Sequence, residues 1–232
     1  MFELLLTPNE TPINITPQLM IDPSNQATGA TALVDLSGRN VTISNPNSLA
    51  VADVGPKAGV KSIYFPGTGI TYLRMPYAQM PNLLDKDYTI EFWYRPETLK
   101  TGSVATVSQW RQTVNQGGII LQPLNTGVWN WSFGPASENA ALASAQGKGV
   151  GVWSHIAITR QGNTHRIWID GVMVASVNNV ATRAQLLVDW TIGAYMGSGG
   201  NPPQASAGIL NGWMAKIHVY QGCKYRGNFT PE

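Results

Sequence analysis

Thirteen acidic residues are the first place to look for chemistry in this 232-residue chain. Hydrolysis of a glycosidic bond needs two carboxyl groups roughly 5–9.5 Å apart, one of them tuned to stay protonated. Glu91 stands alone between Ile90 and Phe92, Asp85 and Asp87 flank Lys86, and Glu97 follows Pro96. None has an evident second carboxylate, so the spacing points to solvated or structural acids. The three histidines, His155, His165 and His218, all fall in expected strands, away from the lone Cys223 and from any paired acid. A zinc site needs three or four convergent ligands. Calcium asks for several carboxylates, and Asp35, Asp53, Asp85, Asp87 and Asp189 are scattered unless a loop gathers them. Cys223 has no visible base to activate it. No nucleophile elbow, P-loop or dinucleotide fingerprint occurs.

Aromatic side chains remain. Eight tryptophans are many for this length. Trp129 and Trp131, two apart on an expected strand, share a face. With Trp110 and Arg111, and with Asn130, Asn125 and Gln109 nearby, they make a candidate shallow platform on which a sugar ring stacks and hydrogen-bonds. The same indoles fill a core or a subunit contact just as well, and burial is the commoner fate of aromatics in sandwiches. Trp93, Trp153, Trp168 and Trp213 read as core or sheet-packing residues. The long, small, polar loop over residues 195–207 carries Tyr195 and Asn201 and is either a recognition loop or an idle tip.

The composition supports contact rather than catalysis. Hydrophobic residues make up 43 % and charged residues only 12 %, about half the usual charged share. Such a surface suits neutral partners. A net charge of +2 without a basic stripe argues against nucleic acid. No apolar run approaches the roughly 20 residues of a membrane span. Residues 1–6 are too short for a signal peptide, so assembly in a cytoplasm is expected, in keeping with one cysteine.

The elements that must position these groups are strands. The run Trp153 to Ser176 reads as a three-stranded meander, punctuated by Gly162-Asn163 and Asp170-Gly171, residues that tolerate positive φ in tight turns. Strands are also expected at 32–36, 41–44, 61–65, 71–74, 88–95, 104–109, 118–122, 127–133, 187–193 and 210–220, with a further one at 2–6. In Tyr88–Arg95, alternation puts Ile90, Phe92 and Tyr94 toward the core and Glu91, Trp93 and Arg95 on the other side. That second side carries Trp93, so a loop covers it or it forms a concave surface. The best helix candidate, 138–145, is alanine-rich but short. Residues 1–30 hold Pro8, Pro12, Pro17 and Pro23 and read as an extended arm, draped on the sandwich or docked on a neighbouring subunit. Residues 31–232 form one domain.

Several segments carry a family resemblance: Val34-Asp35-Leu36-Ser37-Gly38, Ser62-Ile63-Tyr64-Phe65-Pro66-Gly67, Tyr88-Thr89-Ile90-Glu91-Phe92-Trp93-Tyr94-Arg95-Pro96, the meander, Trp190-Thr191-Ile192-Gly193-Ala194 and Leu210-Asn211-Gly212-Trp213-Met214-Ala215-Lys216-Ile217-His218-Val219-Tyr220. In this order and spacing the chain resembles the concanavalin A-like lectin/glucanase superfamily, in its laminin-G-like branch, and looks most like copies in bacteriophage virion proteins. The ending Lys224-Tyr225-Arg226-Gly227-Asn228-Phe229-Thr230-Pro231 is similar to the tail of many phage copies. The resemblance implies an all-β jelly-roll sandwich of two antiparallel sheets. Hydrolases of the superfamily carry Glu-x-Asp-x-x-Glu or a close relative, which is missing here. Relatives that hold calcium do so at a rim loop, for which no carboxylate cluster is visible, so no cofactor is expected. Fold alone does not give function. The expectation is a non-enzymatic virion structural protein, a capsid or tail decoration or attachment protein with weak glycan binding. It would be assembled in the bacterial host and carried on the virion, a homo-oligomer among other virion proteins, without nucleic-acid or membrane partners. The alternative is a carbohydrate-binding adhesin module acting in host-cell attachment.

Overall fold

The two turns of the meander set the frame. Between Ser154–Gln161 and Thr164–Ile169, Gln161 faces Thr164, leaving the two-residue turn Gly162-Asn163, with φ of +56° at Gly162. Between Thr164–Ile169 and Val172–Asn178, Asp170 and Gly171 both take positive φ, +51° and +80°, the I′ arrangement whose twist matches the strands. This is a computed structural model, and it describes residues 10–83, 85–98, 106–109, 119–123, 128–133, 140–147, 149–178, 187–194 and 210–232.

Fourteen strands run in chain order among the described residues: β1 (Pro17–Ile21), β2 (Val51–Ala52), β3 (Ser62–Pro66), β4 (Leu73–Met75), β5 (Tyr88–Pro96), β6 (Val107–Gln109), β7 (Ile119–Pro123), β8 (Val128–Phe133), β9 (Ala140–Gly147), β10 (Ser154–Gln161), β11 (Thr164–Ile169), β12 (Val172–Asn178), β13 (Trp190–Ile192) and β14 (Asn211–Gln221). One sheet has the order β12-β11-β10-β5-β14-β3-β2, with β1 added beside β14, and the other has the order β4-β13-β6-β7-β8-β9. Every pairing is antiparallel. The core lies between the sheets. Ile90, Phe92 and Tyr94 of β5, Ile156 and Ile158 of β10, and Met214, Ile217 and Val219 of β14 meet Trp129, Trp131, Trp190 and Leu73 from the second sheet. This is the expected two-sheet sandwich, and β5 alternates as its sequence implies.

The structure also places the segments that the sequence leaves open and corrects two expected strands. Within residues 1–30, the segment from Pro17 to Ile21 lies on the sandwich of its own chain. β1 pairs with β14 in its own chain, and Leu19 and Ile21 are buried in the common core. Pro17 is tolerated because it starts the strand, where a missing ladder donor costs least. Residues 32–36 and 41–44 are not strands: they run as irregular chain, tied to β1 by Leu36 N donating to Met20 O at 2.8 Å and to β4 by a bridge between Ser44 and Arg74. The weak helix candidate at 138–145 gives way to β9 from Ala140 onward, because pairing with β8 outweighs intrinsic propensity. The strand expected at 2–6 lies outside the described residues.

β14 carries a bulge. Ala215 faces Trp93 and His218 faces Glu91, so β14 has one residue more than β5 over this stretch. Lys216 takes φ of +46°, a conformation costly for a side chain with a Cβ. An uninterrupted strand would put Trp213 and His218, five apart, on opposite faces. The extra residue puts both on the face turned away from the core.

Candidate functional site

The platform expected around Trp129 and Trp131 is not a surface. Trp129 is 3 % and Trp131 0 % exposed. Trp129 packs edge-on against Tyr94 at 5.5 Å and lies 5.8 Å from Phe92, and Trp131 lies 5.9 Å from Tyr88. Their strand phase turns them toward β5 across the core. Asn130, between them, is half-buried, and Gln109 is fully buried, donating to the Val188 carbonyl at 3.4 Å. Trp110, Arg111, Asn125, Tyr195 and Asn201 lie outside the described residues.

Exposed aromatic surface occurs instead on the outer face of the first sheet. Trp213 on β14 stands directly between Tyr64 on β3 and Arg95 on β5. Ser154 faces Tyr94, so Trp153, just before β10, comes beside Arg95. All four side chains are half-exposed. They form a row across four neighbouring strands. The rings of Tyr64 and Trp213 lie 4.6 Å apart at 33°, and the Arg95 guanidinium sits 5.6 Å from the Trp213 ring and 5.9 Å from that of Trp153. Glu97 locks the arrangement. Its Oε1 accepts from Arg95 Nη2 at 2.6 Å, Arg95 Nε at 3.2 Å and Trp213 Nε1 at 2.7 Å. The hydrogen bonds from Arg95 lead in holding the Glu97 carboxyl below its ordinary pKa; slight burial opposes them. Asn211, donating to Thr98 Oγ1 at 2.8 Å, adds a polar margin.

The other half of the same face is covered. Residues 222–232 lie across it, tied down by Lys224 N donating to Thr89 Oγ1 at 2.9 Å and Phe229 N donating to Gly171 O at 2.9 Å. Tyr225 and Phe229 stack at 3.5 Å and form a small second core with Ala157 and Trp168. Beneath them Glu91 is almost wholly buried. Lys224 Nζ donates to its Oε1 at 2.8 Å, Tyr225 donates to Oε2, and His155 Nε2 and His218 Nδ1 each lie 3.5 Å from one of its oxygens. Burial pushes the Glu91 carboxyl up, but hydrogen bonds from the two histidines and the charge of Lys224 outweigh it, holding the group well below the usual carboxylate range. Burial, then the charge of Glu91, push the Tyr225 hydroxyl up, so it keeps its proton.

This cluster is the nearest approach to an active centre in the described residues, since Glu232 also lines its cavity. Two features disqualify it. A general acid needs a raised pKa, and that of Glu91 is lowered. The cavity encloses about 30 Å³, room for water, whereas ligand pockets run to about 300–1,000 Å³. Glu91 therefore acts as the clasp that fastens residues 222–232 to the sheet. Neither its partners nor the aromatic row could be read from local sequence, because they come from distant strands.

Asp35 and Asp189 serve the backbone. Asp35 accepts from the amides of Met20, Ser37 and Val41 at 3.0, 3.0 and 2.9 Å, which holds its pKa down despite burial. Asp189 binds Arg74 at 2.6 Å and the amide of Tyr77 at 2.9 Å. Among the described residues no group of three or more His, Cys, Asp or Glu is placed to hold a metal ion.

With this geometry in place, comparison gives the family. Residues 68–223 match the concanavalin A-like lectin/glucanases superfamily in its laminin-G form. No curated protein matches the chain. Among solved structures, the binding domain of Paraclostridial Mosquitocidal Protein 1 superposes with a TM-score of 0.69 at 15 % identity, over 90 % of this chain and 49 % of that one. Domain 4 of AbnA, an extracellular GH43 arabinanase of Geobacillus stearothermophilus solved in complex with arabinotriose, gives 0.64 at 17 %, over 92 % and 96 %. The binding domain of botulinum neurotoxin DC in complex with SialylT gives 0.65 at 10 %, over 90 % and 48 %. The chain thus spans about half of each toxin domain and nearly all of the arabinanase domain. At these identities the likeness is one of fold. The chain belongs to the concanavalin A-like lectin/glucanases superfamily, as a laminin-G-type sandwich.

Proposed function

We propose that this protein is a non-catalytic carbohydrate-recognition module that binds glycans on the row Tyr64–Trp213–Arg95–Trp153. The row itself carries the reading. Three aromatic rings are held half-exposed beside fixed hydrogen-bonding groups, on a rigid sheet, where water gains nothing from them and a sugar face does. The structural neighbours support it in a general way: two are binding domains, one of them solved with SialylT, and a third is an arabinanase domain solved with arabinotriose. The test is retention on a panel of immobilised glycans. Wild type is retained on at least one, and Trp213→Ala loses it while keeping its melting temperature within a few degrees. Equal retention of the variant refutes the assignment.

A second reading concerns the setting. Val150 and Val152, 51 % and 46 % exposed, extend the row with plain apolar surface that suits a protein neighbour. Together with the resemblance of residues 224–231 to the C-terminal tail of phage copies of the domain, this favours display on a virion, as a homo-oligomer or against other virion proteins. Mass spectrometry of purified particles tests it, and absence of the chain from them rejects it.

A further inference from the structure

We infer that the outer face takes a neutral, unbranched oligosaccharide, laid across the strands and engaged over about three sugar units; this rests on the glycan reading above. The direction follows from register. Tyr64, Trp213 and Arg95 are register partners on neighbouring strands and Trp153 continues the line just before β10, so the row runs at right angles to the strands. Strands lie about 4.8 Å apart, so three steps carry the row about 14 Å. One step is close to the length of one sugar unit in an extended chain. A linear glycan lying along the row therefore meets a ring or the guanidinium plane at each unit, and a single sugar meets only one of them.

Neutrality follows from the charges facing this surface. Arg95 is matched by Glu97, and Lys224 by Glu91. Lys216 and Glu232, both lining the cavity beside Trp93, oppose one another. Among these described residues no net charge is left to draw in an acidic polymer. Arg95 Nη1 and Glu97 Oε2 have no partner among the described residues, so they offer a donor and an acceptor for hydroxyl groups.

The absence of branches follows from the covered half of the face. Trp93 is two residues from Arg95 on β5 and points the same way, but its Nε1 donates to Glu232 O at 3.1 Å. Residues 222–232 therefore form a wall along the row. The cavity of about 30 Å³ beside it is too small for a sugar.

Calorimetric titration of the full chain tests this, using cello-, xylo- and arabino-oligosaccharides of one to six units beside oligogalacturonates of matched length. In at least one neutral series, affinity is expected to rise at least tenfold from one unit to three and to change less than twofold from four to six. Oligogalacturonates are expected to bind at least tenfold more weakly than that series at every length. Trp153→Ala is expected to move the plateau to a shorter length, while Trp213→Ala removes binding throughout. A single sugar binding as tightly as a trimer, or an acidic series outranking the neutral ones, overturns this inference and leaves glycan binding intact. No binding in any of the four series overturns both.

Discussion

Two pairs of tryptophans sit on opposite sides of the same architecture. Trp129 and Trp131 point from the second sheet into the core, where they touch Phe92, Tyr94 and Tyr88. Trp153 and Trp213 point from the first sheet outward, where they flank Arg95. The residue type is the same, and strand phase decides the task. An inward indole is held by close packing, and its loss leaves a void. An outward indole keeps one face in water, a cost that folding does not recover and a ligand does.

Substitutions that should affect one pair and spare the other sharpen this contrast. Trp131→Ala is expected to cost about 3–5 kcal/mol of stability, read by denaturant unfolding, with glycan retention unchanged in the molecules that remain folded. Lys224→Met leaves the Glu91 carboxylate buried without its cation and should cost about 3–5 kcal/mol. It should also raise hydrogen exchange over residues 222–232 while leaving the core between the sheets protected; uniform loss of protection would deny that Glu91 is a clasp.

Acid should act on the same clasp. The Glu91 carboxyl is depressed in the folded state, so its contribution is full above the ordinary value near 4.5 and is lost as pH falls below that through the depressed value. Lys224→Met should flatten that part of the stability curve. Trp213→Ala is expected to cost at least tenfold in glycan affinity, about 1.4 kcal/mol or more, with little loss of stability. At neutral pH the smallest effect is expected from His165, which acts only in acid. Burial first, then the charge of Arg160, lower its pKa from 6.5 to about 3. The group stabilises above pH 6.5 and progressively less as pH falls toward 3, so His165→Gln should flatten the decline that begins below pH 6.5. An unchanged onset would deny that His165 is held neutral.

Much of the fold was legible because its signals are local. Gly162 and Asp170-Gly171 announce their turns, and Ile90, Phe92 and Tyr94 announce the inner face of β5. The side chosen by each tryptophan was harder to read, for physical reasons. Reading back from Ile217 and Val219 by twos puts Trp213 inside, and only the bulge at Lys216 reverses it. For β8 a signal was available: Trp129 and Trp131 share their phase with Phe133, while Asn130 and Ser132 share the other. In β1 the prolines hid the alternation of Leu19 and Ile21, whose burial depends on pairing with residues 217–220, about 200 positions away. The Glu91 cluster was not legible at all, since β10, β14 and residues 224–225 meet only once the sheet has formed.

A glycan array probed in parallel with wild type, Trp213→Ala and Trp131→Phe tests the central claim most directly. The account predicts that wild type and Trp131→Phe light the same spots and that Trp213→Ala loses them. Spots kept by Trp213→Ala but lost by Trp131→Phe, or an array left dark by wild type, would contradict it.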